Sequence, residues 1–172
     1  MIGALAALLL SGGLAQASAV DGTDALPQLF IAACLDGQAK LSPGSAEAIG
    51  FNALPTDLQR SLGAPSSSKV WRLNRQGREY LYVLTYQPGR NVNPRVCGLA
   101  SDQMDYNAAA DAVEMRVTGQ VQPRTLPSVE WLNAKGGYDA LATHAGEFKV
   151  LQINWLSDAQ IAEAAKVLKA IP

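Results

Sequence analysis

Between Lys69 and Tyr86 apolar residues recur at every second position, and Gln76-Gly77 interrupts the alternation where a glycine can supply positive φ. That pattern predicts a β-hairpin. With a two-residue turn at Gln76-Gly77, Arg75 faces Arg78, Leu73 faces Tyr80 and Trp71 faces Tyr82. Leu84 and Tyr86 continue that aromatic face, and the opposite face carries Val70, Arg72, Asn74, Glu79, Leu81, Val83 and Thr85. An apolar face of this kind needs helices to cover it.

Helical spacing supplies them on both sides in sequence. Leu26, Leu29, Phe30 and Ala33 follow a cap at Asp24 and end at Gly37; Ser42-Pro43 opens a short second helix; Thr56-x-x-Gln59 has the form of a capping box for a third. After a strand over Arg95–Ala100, Asp105 starts a helix with Tyr106, Ala109, Ala110, Val113 and Val117 on one face. Strands are then expected at Val129–Leu132, Tyr138–Thr143 and Phe148–Trp155. Ser157-x-x-Gln160 caps a final helix striped by Ile161, Ala164, Ala165, Leu168 and Ile171. The expected fold is α+β, a mainly antiparallel sheet packed against helices in two layers, with helices at both ends of the domain. A doubly wound parallel sheet is not expected, because strands and helices do not alternate and neither a G-x-G-x-x-G nor a Walker-type run occurs.

The opening segment has the features of an export signal. Residues 1–20 carry no charge, Ile2–Leu10 form an apolar run, and Ala17-Ser18-Ala19 offers a small-residue cleavage site. The expectation is a signal peptide over 1–19 and a single α+β domain over 20–172, periplasmic or secreted, without stable membrane insertion once cleaved. Ile31-Ala32-Ala33-Cys34 has the form of a lipobox, but Asp21, Asp24 and Pro27 separate it from the apolar run, which argues against lipidation. In an exported chain the two cysteines, Cys34 and Cys97, are expected to form a disulfide joining the first helix to the third strand.

Composition narrows the function classes. Fourteen Lys and Arg against fifteen Asp and Glu give a net charge of -1, which argues against a chain built to neutralise nucleic acid. One His and two Cys are too few for a zinc site of the usual His/Cys type, so neither a metal nor a cofactor is expected. His144 is the one residue suited by type to acid-base work near neutrality, and Cys97, Asp139 and Glu147 are its conceivable partners; no G-x-S-x-G or H-E-x-x-H accompanies it.

Basic residues instead gather around the hairpin: Arg60, Lys69, Arg72, Arg75, Arg78, Arg90 and Arg95, with Glu79 opposing them. Trp71, Arg72, Arg75, Arg78, Tyr80, Tyr82 and Arg90 therefore form the candidate binding patch, of residue types that dominate interfaces when exposed. Two structural alternatives compete with it. The aromatic face can be core, and the arginines can be balanced by Asp102, Asp105, Asp111 and Glu114.

Taken together, the export signal, Cys34, the Trp71-Arg72 strand, the Tyr-rich strand after it and Cys97-Gly98 resemble small uncharacterised exported proteins of Gram-negative bacteria over residues 29–115. The resemblance implies a periplasmic address and carries no activity or functional residue with it. The leading expectation is a non-catalytic domain binding a partner protein or envelope component. A secreted inhibitor or immunity-type protein is the second reading, and a small hydrolase using His144 is the third.

Overall fold

The computed structural model describes residues 25–37, 46–74, 76–87, 93–117, 120–121 and 128–170. The signal segment, Asp24, the Ser42-Pro43 helix start, Arg75 and Arg90 lie outside them. In chain order the elements are α1 (Ala25–Phe30) running into a π-helical turn (Ile31–Leu35), β1 (Glu47–Ile49), a 3-10 turn (Phe51–Ala53), α2 (Thr56–Leu62), β2 (Ser67–Arg72) and β3 (Glu79–Thr85). There follow β4 (Arg95–Ser101), α3 (Tyr106–Glu114), β5 (Gln120–Val121), β6 (Val129–Asn133), β7 (Tyr138–Ala145), β8 (Phe148–Trp155) and α4 (Asp158–Ala170).

The strands form one eight-stranded sheet in the order β1-β2-β3-β4-β8-β7-β6-β5. Every pairing in it is antiparallel. A mixed α+β fold with an antiparallel sheet is thus present. The sheet centre is made by β4 and β8, which are largely buried along their length and carry apolar residues on both faces.

The hairpin register differs from expectation by one residue. Val70 pairs with Tyr82, Trp71 with Leu81 and Arg72 with Tyr80. The cause is the turn. The Leu73 N–H donates to the Glu79 carbonyl at 2.9 Å, so the loop runs from residue 74 to 78. The Asn74 side chain accepts from the Gln76 N–H at 3.0 Å, and the Gly77 N–H donates to the Asn74 carbonyl at 3.2 Å. Asparagine folds its own backbone in this way, and it lengthens the loop. A one-residue shift exchanges the faces of every side chain on one strand relative to the other. Trp71 and Leu73 consequently join Leu81 and Val83, while Val70 and Arg72 join Tyr80, Tyr82 and Leu84.

The sequence predicts two layers, a sheet packed against helices; in the structure apolar clusters with helical residues line both faces of the sheet. One cluster sets Phe30, Ile31 and Cys34 of the first helix and Ala109, Ala110 and Val113 of α3 against Leu81, Cys97, Leu99, Leu151, Ile153 and Trp131. The other sets Leu54 and Leu58 of α2 and its approach against Val70, Tyr80, Tyr82, Leu84, Val96 and Phe148. The π-helical turn places residues 30, 31 and 34 inward together. The Cys34–Cys97 disulfide, with Cα atoms 5.5 Å apart, then fastens this helix to β4 at the sheet centre.

The caps divide. Asp105 accepts from the Ala108 N–H at 2.9 Å, and Ser157 and Gln160 form the expected box, with the Ser157 N–H donating to Gln160 Oε1 at 2.8 Å. At α2, Thr56 is the first helical residue and Pro55 occupies the cap position. Gln59 Nε2 donates instead to the Leu54 carbonyl at 2.7 Å and ties the helix to its own approach.

Candidate functional site at the hairpin end of the sheet

Strand β3 and its partners carry charged residues to the end of the sheet where the hairpin loop and the β7–β8 turn meet. That turn consists of Gly146 and Glu147, with Gly146 at φ +62°, a conformation glycine adopts without strain. It projects Glu147 toward Arg78, whose Nη1 lies 2.5 Å from Glu147 Oε1 and 3.5 Å from Asp102 Oδ2. The Arg78 guanidinium also lies 4.6 Å from the centroid of the Phe148 ring, in cation–π contact. Phe148 meets Tyr80 edge-on, with ring centroids 6.1 Å apart. Beside this stack Arg72 reaches Glu47 of β1 at 3.6 Å.

This end therefore consists of charges of both signs on an apolar pedestal. The Glu147 hydrogen bond, with the charges of Glu147 and Asp102, holds the Arg78 pKa above its ordinary value. Partial burial, with the Asp102 charge behind it, raises that of Glu79. Lys149 Nζ donates to the Asp102 carbonyl at 2.5 Å, and one carboxylate oxygen of Asp102, Oδ1, is buried without a hydrogen bond. Chemically the arrangement offers fixed donors and acceptors to a partner. The Arg72 and Arg78 side chains remain 32% and 42% exposed, so they can take part in contact.

The candidate patch is only partly assembled. Tyr80 and Tyr82 are buried, Trp71 is partly buried on the opposite face against the core cluster there, and of the described residues of the named patch Arg72 and Arg78 reach the rim. An exposed aromatic stacking platform is thus absent among the described residues of the hairpin, and the aromatic face is core. Of the other basic residues, Arg60 pairs with Asp57 at 3.1 Å and Arg95 lies over Trp155 at 4.5 Å. Among the described residues the balance comes from Glu47, Asp57, Asp102 and Glu147, so Asp102 is the one of the four expected acids that takes part in these pairs.

His144 is separated from each of its conceivable partners. Cys97 is in the disulfide, Glu147 is paired with Arg78, and Asp139, five residues away on the same strand, points to the other face. The imidazole stacks on Tyr106 of α3 at 4.5 Å between centroids. The Tyr106 hydroxyl donates to the Ala142 carbonyl at 3.0 Å, which fixes the ring against β7.

Reading the sequence for basic and aromatic residues overlooked a second polar assembly. The Tyr82 hydroxyl donates to Gln152 Oε1 at 2.9 Å, Gln152 Nε2 to Asn154 Oδ1 at 2.6 Å, and Asn154 Nδ2 to Asp139 Oδ2 at 3.1 Å. Burial raises the Tyr82 pKa, and raises that of nearby Tyr86 to about 12. It also raises the Asp139 carboxyl to about 6, with Glu130 adding to the effect by charge and hydrogen bonding. The available signal was Gln152-x-Asn154, two amides at period two among the apolar residues of Phe148–Trp155.

Among the described residues no cluster of three or more His, Cys, Asp or Glu could hold a metal ion, and no helix is long and apolar enough to cross a membrane. A shallow depression lined by Asp111, Glu114 and Met115 contains none of the residues of the arginine rim or of the amide chain. No protein-family model matches the chain, and no curated protein or solved structure matches it.

Proposed function

We propose that the chain is an exported, non-catalytic domain that binds a protein partner through the hairpin end of its sheet. The observation that carries this reading is the Arg78–Glu147–Asp102 group held on Phe148, with the Arg72–Glu47 pair beside it. An arginine on an aromatic pedestal, with a second arginine beside it at a half-exposed rim, is suited to interface anchoring. The mixed signs favour a protein surface over a uniformly anionic envelope polymer, because each arginine here already has a carboxylate that a polyanion would have to displace. A secreted inhibitor or immunity-type protein is one form of this reading. Support for export comes from the disulfide, which persists in oxidising compartments, together with the uncharged segment before Val20.

The test is photo-crosslinking in an exporting bacterial host, with a photoreactive residue at position 72 and, separately, at position 61 on exposed α2. A discrete adduct from 72 and none from 61 supports the proposal. Equal labelling from both positions, or none from either, contradicts it.

A further inference from the structure

Antiparallel pairing of β6 with β7 sets Glu130 opposite Leu141 and Leu132 opposite Asp139. Glu130 and Asp139 are therefore diagonal neighbours on one face. Asp139 is only 8% exposed; Oδ2 accepts from Asn154 Nδ2, and Oδ1 is buried with no hydrogen-bond donor. A buried carboxylate oxygen without a donor is costly, and a carboxylate beside it adds repulsion. A proton placed between the two acids supplies the missing bond and removes one charge.

We infer that the Asp139–Glu130 pair is a proton latch between β6 and β7. One shared proton closes it, and loss of that proton sets two carboxylates against each other and loosens β6, with the edge strand β5 beyond it, from the sheet.

The groups around the pair leave the proton as the variable. From β8 the neutral amides Asn154 and Gln152 face it, and beyond them on β3 lies the Tyr82 phenol, whose pKa burial raises. On β7 itself the same face continues through Leu141 and Thr143, and β5 consists of Gln120 and Val121. Lys135, in the turn joining β6 to β7, is exposed. Asp57 and Arg60 of α2, which also approaches β7, neutralise each other.

The sign follows from linkage. Asp139 ionises at about 6 in the folded chain, above its ordinary 3.8, so the folded state holds the proton more tightly than the unfolded one. The stabilisation is fully present below the unfolded value and is lost as pH rises through the folded value. Buried carboxylates that are simply salt-bridged behave in the opposite way.

The measurement is amide hydrogen exchange on the full, disulfide-intact chain at pH 5 and pH 7, corrected for intrinsic exchange. Protection over Val129–Asn133 is expected to fall about tenfold between these values, a change of about 1.4 kcal/mol in local opening. In the Asp139→Asn chain the fall disappears. In the Glu130→Gln chain, altered at an exposed residue, it moves to lower pH. A His144→Gln chain, altered on the other face of β7, retains it. Unchanged protection in the native chain overturns the inference, as does a fall that stays at the same pH in Glu130→Gln or vanishes in His144→Gln.

Discussion

The Tyr82 side chain lies across Gly98, its register partner on β4, and delivers its hydroxyl to Gln152 on the far side of that strand at 2.9 Å. A Cβ at position 98 would collide with the phenol ring and oxygen. The glycine is thus where one strand lets an aromatic side chain reach over it, and it links the tyrosine-rich hairpin to the amide chain ending at Asp139. Gly98→Ala should destabilise the fold by about 1 to 3 kcal/mol, the usual cost of overpacking. Urea unfolding measures it, and a second substitution, Tyr82→Leu, should recover part of the loss by vacating the space. A neutral Gly98→Ala chain would mean that the ring moves aside freely.

The disulfide should contribute substantially to stability. It closes a separation of 63 residues, for which the chain-entropy treatment gives about 4 kcal/mol. Cys34→Ser with Cys97→Ser should therefore cost about 2 to 5 kcal/mol in denaturant unfolding. The loss should be accompanied by faster exchange in α1, because Phe30 and Ile31 lose their tether while the sheet retains its own pairing. Equal loss of protection in β4 and α1 would contradict the assignment of the bridge as a helix clamp.

Much of the framework was legible before the structure. Asp105 and Ser157-x-x-Gln160 announced α3 and α4, since capping chemistry is local, and the Cys34–Cys97 pair followed from the count of two. Non-local features were not legible. The Asn74 turn displaced the hairpin register by one residue, and with it the partition of Trp71, Arg72, Tyr80 and Tyr82 between faces. Strands β1 and β5 are too short to show a period, at three and two residues. For the site, Arg72 and Arg78 could be named as basic rim residues, but their partners Glu47 and Glu147 are brought to them only by strand pairing and by the β7–β8 turn.

His144 is expected to be dispensable for function. Its contact is the Tyr106 ring, and an aromatic pair of this kind contributes about 0.5 to 1.5 kcal/mol. His144→Ala should cost at most that much in unfolding free energy and leave partner binding intact. Loss of binding with the fold preserved would return the histidine to the functional site.

The most direct measurement is partner capture by the chain carrying both Arg72→Glu and Arg78→Glu, compared with native protein and with a charge-neutral control at the same end, Arg72→Gln. Circular dichroism and near-native β-sheet exchange establish that each chain is folded. The expected result is capture by native protein, weakened capture by Arg72→Gln, and none by the double reversal. Undiminished capture by a folded double reversal would contradict binding through the hairpin end.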